Sequence, residues 1–125
     1  MQFPVYGIPG MTRLAAFEQK IDPLSACCPV RAAVDVIRGR WKPGLLFELQ
    51  EGPRRFGELQ TALRGITAQA LTVQLRQLEA DGVVERRVYA EVPARVEYTL
   101  SPLGRRLSDV MEQLDAWGRD YQRRK

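Results

Sequence analysis

Histidine is absent from this 125-residue chain, and its only two cysteines, Cys27 and Cys28, are adjacent. Together these facts remove every histidine-dependent triad or acid–base scheme and the usual zinc-site spacings, so no metal and no catalytic imidazole are expected. A Gly-rich nucleotide loop is missing as well, and no cofactor is expected. Uninterrupted apolar runs span only a few residues, far short of the roughly 18 that suggest a membrane crossing. The opening stretch MQFPVYGIPGMTR has no basic run followed by an apolar one, so no secretory signal is read there and a cytoplasmic, nucleoid-associated protein with no membrane partner is expected.

Lysine is also scarce. Of nineteen basic residues sixteen are arginine, against fifteen acidic ones, giving a net charge of +4. Arginine's planar fork suits phosphates and guanine edges, whereas biased codon usage is the bland alternative. With 45% hydrophobic and 27% charged residues, the chain can bury one core and has room for one domain. Prolines and glycines at Pro4, Gly7, Pro9, Gly10 and Pro23 surround a short helical stretch near Thr12–Lys20. Residues 1–26 therefore read as a loosely attached arm, with Met11 an alternative start, and residues 27–125 as the domain.

Within the domain, Pro29 suits a first helical position, and Val30, Ala33, Val34 and Ile37 recur at helical spacing until Gly39. A second helix is expected over Trp41–Glu51, with Pro43 in its first turn. The third covers Phe56–Leu63, burying Phe56, Leu59 and Leu63. Thr67 then caps a fourth helix running to Asp81, closed by Gly82. The period next changes to two: Val84, Arg86 and Val88 alternate with Glu85, Arg87 and Tyr89, and Arg95, Glu97 and Thr99 with Val96, Tyr98 and Leu100. Paired strands with a tip at Ala90–Ala94 follow. Ser101-Pro102 opens a last helix over about 102–121.

Helix, tight turn, helix and hairpin is the order of a winged helix-turn-helix, in which the second helix of the turn motif enters the major groove. The fold class expected is mainly α (α+β), with a two-stranded wing and a long C-terminal dimerisation helix. At 100° per residue Leu71, Leu75 and Leu78 share one face of the fourth helix, while Gln69, Thr72, Val73 and Arg76 lie on the other. Amide, hydroxyl, small apolar and arginine groups are what base edges and thymine methyls take, although a plain surface helix is the simpler reading of that face alone. Arg54, Arg55, Arg64, Arg86, Arg87 and Arg95 surround this helix. Each singly is an ordinary solvated group; their placement around one helix is the signal.

These segments carry a resemblance. CPV (28–30), DVIRGRWK (35–42), RRFGEL (54–59), GIT (65–67), LTVQLRQLEADGVVERRVY (71–89) and VPARVEYTLSPLGRRL (92–107) resemble the HxlR family of bacterial winged helix-turn-helix transcriptional regulators, related to the MarR type, over about residues 28–121. The resemblance implies a dimeric DNA-binding regulator acting on nearby genes. It implies a recognition helix at Thr67–Asp81, a wing at Val84–Leu100 and a wing arginine at Arg95. Several family members with a cysteine at this Cys-Pro position sense oxidants or electrophiles, which makes Cys28 a candidate sensor and Cys27 a possible resolving thiol, with a buried structural cysteine as the alternative.

The last helix carries Leu103, Leu107, Val110, Leu114, Trp117 and Tyr121 at spacings of 4, 3, 4, 3 and 4. This is a heptad seam and predicts a homodimer, with packing onto its own domain as the alternative. Such a dimer would bind double-stranded DNA at a palindromic operator through Thr67, Gln69, Thr72, Val73 and Arg76, with Arg54, Arg55, Arg64, Arg86 and Arg95 on the backbone or in the minor groove. A repressor is expected, since one small domain leaves little surface for recruiting polymerase. Two other classes stay open: an interaction module that lost DNA binding, which Glu79, Asp81, Glu85 and Glu91 allow, and a thiol-dependent enzyme using Cys28, weak because no histidine activates the thiol. A small-molecule inducer also stays open.

Overall fold

A computed structural model describes residues 28–124. The arm, its expected helix near Thr12–Lys20 and Cys27 lie outside the described residues. The chain falls into two units, residues 1–38 and 39–125.

Of the first unit, the described part is chiefly helix α1, Pro29–Ile37, which begins at a proline as expected. Its apolar spacing is real, yet none of its residues is buried, and Val30 and Val34 are each about half exposed. Cys28 is its N-cap, makes no side-chain cap hydrogen bond, and is itself buried.

The second unit contains α2 (Lys42–Gln50), α3 (Phe56–Ala62), α4 (Ala68–Ala80), β1 (Val84–Tyr89), β2 (Arg95–Leu100) and α5 (Pro102–Arg123). Each boundary has a local cause. A proline opens α2 and another opens α5, where the missing N–H costs nothing. Thr67 Oγ1 accepts from Ala70 N–H at 3.0 Å to start α4. Gly82 ends it at φ +78°, a left-handed position that a side chain would strain.

Seven leucines fill the core: Leu45, Leu46 and Leu49 of α2, Leu59 of α3, and Leu71, Leu75 and Leu78 of α4, all essentially inaccessible. Each contributes about 1.5–3 kcal/mol relative to exposure. Phe56 and Leu63, expected inside with Leu59, are only half-buried.

β1 and β2 form an antiparallel ribbon with Val84 opposite Leu100 and Tyr89 opposite Arg95. Only its base is buried, at Val83, Val84, Thr99 and Leu100; Val88 is 60% exposed. The alternation of residue type therefore marks a strand here without marking a buried face, because among the described residues no residue of the outer half of the ribbon is buried. Sequence periodicity also missed a contribution before α3. Arg54 donates its backbone N–H to Tyr98 O at 2.9 Å and accepts from Tyr98 N at 2.8 Å, adding one residue of a third strand.

The last helix leaves the ribbon and passes close to the turn after α4. Ser101 Oγ donates to Gly82 O at 2.6 Å and accepts from Gly104 N at 3.0 Å, while Ser101 N donates to Val83 O at 3.1 Å. A Cβ on Gly104 would collide with the Val83 carbonyl, so glycine is required for the approach. Gly104 and Met111, seven residues apart on one face, are the buried residues of α5.

Candidate nucleic-acid interface

A short helix, a turn at Arg64-Gly65 and a second helix bring one surface together, because the leucine face of α4 is committed to the core. Its outward side chains then have no choice. Gln69, Val73, Arg76 and Gln77 are exposed, Val73 by 44%. Thr72 is half-buried and its Oγ1 donates to Ala68 O at 2.9 Å, which leaves its methyl and lone pairs outward. The N-cap Thr67 is spent locally on Ala70 N–H.

The arginines around this helix divide into two groups. Among the described residues Arg55, Arg64 and Arg76 carry no ion pair, and all three are exposed. Arg55 begins α3, its backbone N–H donating to Glu58 Oε1 at 2.7 Å while its side chain stays outward. The others are engaged by the protein itself. Arg54 is 3.3 Å from Glu51 and 3.9 Å from Glu48 and is mostly covered. Arg86 lies 3.8 Å from Glu79, and Arg87 lies 3.6 Å from Glu85.

Arg95 is the most heavily held. Its guanidinium is 3.0 Å from Glu91 and 3.2 Å from Glu97 and sits over the Tyr89 ring at 4.1 Å from the centroid. The wing from Val84 to Leu100 has three arginines, Arg86, Arg87 and Arg95, against three glutamates, Glu85, Glu91 and Glu97, so its net charge is zero. Sequence placement brought these arginines to the right region but could not reveal their partners. Cross-strand neighbours follow from the register, which pairs Arg87 with Glu97 and Tyr89 with Arg95.

Between α4 and the wing lies a cleft lined by Thr72, Leu75, Arg76, Glu79, Arg86 and Tyr98. Tyr98 was not singled out by the sequence. Burial raises its phenol above the ordinary value of 10.0; Glu79 acts in the same direction, and Arg86 and Arg76 oppose it.

The chain is similar to known proteins. The HxlR-like helix-turn-helix model matches residues 36–125. The chain belongs to the HxlR family. The HTH-type transcriptional regulator YybR of Bacillus subtilis is 44% identical over 101 residues, 81% of each chain. A MarR-family transcriptional regulator from Enterococcus faecalis V583 superposes with a TM-score of 0.73 at 41% identity, covering 82% of this chain and 94% of that one. The redox regulator HypR in its reduced form gives 0.71 at 44% identity, covering 75% and 93%. As an HxlR protein the chain is a transcriptional regulator of the helix-turn-helix type with a winged-helix fold. Among the described residues no helix is long and apolar enough to cross a membrane.

Two groups of expected site residues remain, the α5 seam and Cys28. Leu103, Val110, Leu114, Trp117 and Tyr121 are 39–65% exposed, with Leu107 half-buried between them and the core-facing stripe. At 100° per residue the exposed seam is rotated roughly a quarter turn from Gly104 and Met111. The Trp117 and Tyr121 rings stack with centroids 5.3 Å apart. Cys28, at 4% exposure, shows little surface to a reagent.

Proposed function

We propose that this HxlR regulator is a homodimeric, sequence-specific DNA-binding repressor. The observation that carries the reading is the outer face of α4, where Gln69, Val73 and Arg76 are exposed, Thr72 is half-buried and Glu79 is the one carboxylate, preceded in the chain by two exposed arginines, Arg55 and Arg64, that carry no ion pair among the described residues. Gln69, Thr72, Val73 and Arg76 would read base edges, and Thr67 fixes the helix start beside them. Arg55 and Arg64 take phosphates directly; Arg54, Arg86 and Arg95 reach them only by exchanging the carboxylates they now hold.

Dimerisation is supported by the exposed seam of α5. A monomer would leave five exposed apolar side chains on one stripe, whereas a two-fold pairing covers them and presents two recognition helices to half-sites about 34–36 Å apart, or a multiple of that. The domain's small remaining surface favours blocking over recruiting. Salt separates this reading from an interaction module without DNA binding, because phosphate contacts impose a steep loss of affinity with salt that such a module would not show.

A second reading concerns the thiol. HypR, similar to this chain, is a redox regulator solved in reduced and oxidised forms. By that similarity Cys28 is the sensing thiol, two protomers giving an intersubunit disulfide as the oxidant takes up two electrons and two protons. Adjacent Cys27 is poorly placed to close a ring with it.

Both readings are tested by fluorescence anisotropy of the reduced protein against its own upstream DNA and a scrambled duplex, repeated after diamide. Tight, salt-sensitive binding to the native duplex is expected, lost after diamide in wild type and retained in Cys28→Ser. Equal weak binding to both duplexes overturns sequence-specific recognition, and indifference to diamide overturns the thiol reading alone.

A further inference from the structure

We infer that the cleft between α4 and the wing is a notch for one DNA phosphodiester, and that Glu79 occupies the phosphate's place in the protein without DNA. The inference rests on the DNA-binding reading and adds to it two residues, Glu79 and Tyr98, and a mechanism for coupling helix to wing.

The cleft, of about 230 Å³, collects groups from three separate elements. Arg76 comes from the helix, Arg86 from the first wing strand and Tyr98 from the second. Guanidinium and phenol groups are all donors, and a phosphodiester oxygen offers what they lack. Glu79 supplies the cleft's one carboxylate, and Arg76 precedes it by three residues on the same helix face.

The Glu79–Arg86 contact is poorly suited to holding the fold. At 3.8 Å it is longer than a hydrogen bond, and the Arg86 side chain is 51% exposed. Pairs of this kind contribute little to stability and exchange partners easily. A weak internal anion does serve to keep Arg86 turned toward the recognition helix instead of outward along the ribbon. Among the described residues Arg76 has no ion pair and nothing hydrogen-bonds the Tyr98 hydroxyl. Three donors thus converge on a space in which one acceptor is only loosely held. When a duplex docks on α4, a backbone oxygen replaces Glu79 at Arg86, the carboxylate swings to solvent, and wing and helix grip the same phosphate. Glu79 acts through Arg86 and is a positioning residue.

The test is a double-mutant cycle of Glu79→Gln and Arg86→Gln, read by anisotropy on the native and scrambled duplexes at several salt concentrations. Glu79→Gln is expected to tighten binding about twofold to fivefold, to the same degree on both duplexes, because phosphates carry no sequence. With Arg86 replaced, that gain should fall to about onefold, since the competitor then has nothing to compete for. Arg86→Gln should flatten the salt dependence by about 0.9 in log–log slope, while Tyr98→Phe should weaken binding about threefold with the slope unchanged, because a neutral donor releases no counterion.

Equal gains from Glu79→Gln with and without Arg86 would mean a diffuse charge effect and overturn the notch. So would a gain confined to the native duplex, or a Tyr98→Phe protein that binds like wild type. A wild type that binds neither duplex at low salt removes the DNA-binding reading and the notch together.

Discussion

If the α5 seam pairs two chains as proposed, replacing Leu114 by aspartate should give a monomer without unfolding it. Leu114 is 48% exposed in the single chain, and it lies a quarter turn from the buried Met111 stripe, so its own domain gains about half of what a leucine can contribute. Full burial of a leucine is worth about 1.5–3 kcal/mol, leaving about 1 kcal/mol for a partner. Two-fold symmetry counts the position twice, so Leu114→Ala should cost about 2 kcal/mol, or about 30-fold in dimer Kd. Aspartate adds two carboxylates to an apolar seam at several kcal/mol each. The total is comparable to the roughly 8 kcal/mol that holds a micromolar dimer, and association should vanish at working concentrations. Sedimentation velocity at micromolar protein reads the mass. Anisotropy on the full operator should show the affinity of one half-site. A Leu114→Asp protein that still sediments as a dimer would refute the seam, and a monomer with undiminished operator affinity would refute paired half-site reading.

Gly104→Ala should destabilise the protein by about 1–3 kcal/mol, since its methyl would meet the Val83 carbonyl. Calorimetry should find a thermal midpoint lower by about 4–8 °C per kcal/mol, and an unchanged midpoint would contradict the close approach. Replacing Glu91 and Glu97 together by glutamine releases Arg95 and raises the wing charge from zero to +2. Binding to any duplex should then tighten, more at low salt than at high; affinity unaltered at every salt would show that the wing tip stays off the DNA. Tyr98 should be a late-ionising tyrosine in a spectrophotometric titration, and Tyr98→Phe should remove that late step. Because its folded-state value is raised, its contribution to stability is present below the ordinary pKa near 10 and is lost as the pH climbs through the folded value.

Local chemistry made the elements legible. Thr67, Gly82, Pro43 and Ser101-Pro102 mark helix ends through groups that act within four residues, and the α4 leucine face follows from a 100° step that tertiary contacts did not override. What stayed hidden depends on distance along the chain. The two backbone bonds of Arg54 with Tyr98 join residues 44 apart, and the Gly104 approach to Val83 depends on how closely a helix passes a turn. The wing illustrates a different failure. Its arginines could be counted, but a count treats every charge as available, and Arg95 is held by Glu97 two residues along its own strand, by Glu91 at the hairpin tip and by Tyr89, which only the register places opposite it. In α1 the apolar spacing gave the helix correctly, yet no residue of it is buried, because period reports conformation and not partnership.

The tie between α5 and the turn after α4 has a mechanical consequence. Two hydrogen bonds of Ser101, to Gly82 O and Val83 O, together with the contact that only a glycine at 104 permits, join the start of α5 to the turn that ends α4. No linker absorbs motion there. In a dimer built on that seam, each recognition helix is the short end of a lever whose long arm is α5, some 30 Å in length. A few degrees of rolling between the two long arms, from oxidation, a bound effector or a neighbouring protein, would become ångströms of change in the distance between the reading heads. Operator spacing is then the quantity such a signal alters, and a duplex with one base pair inserted between half-sites could select the state that the native spacing rejects.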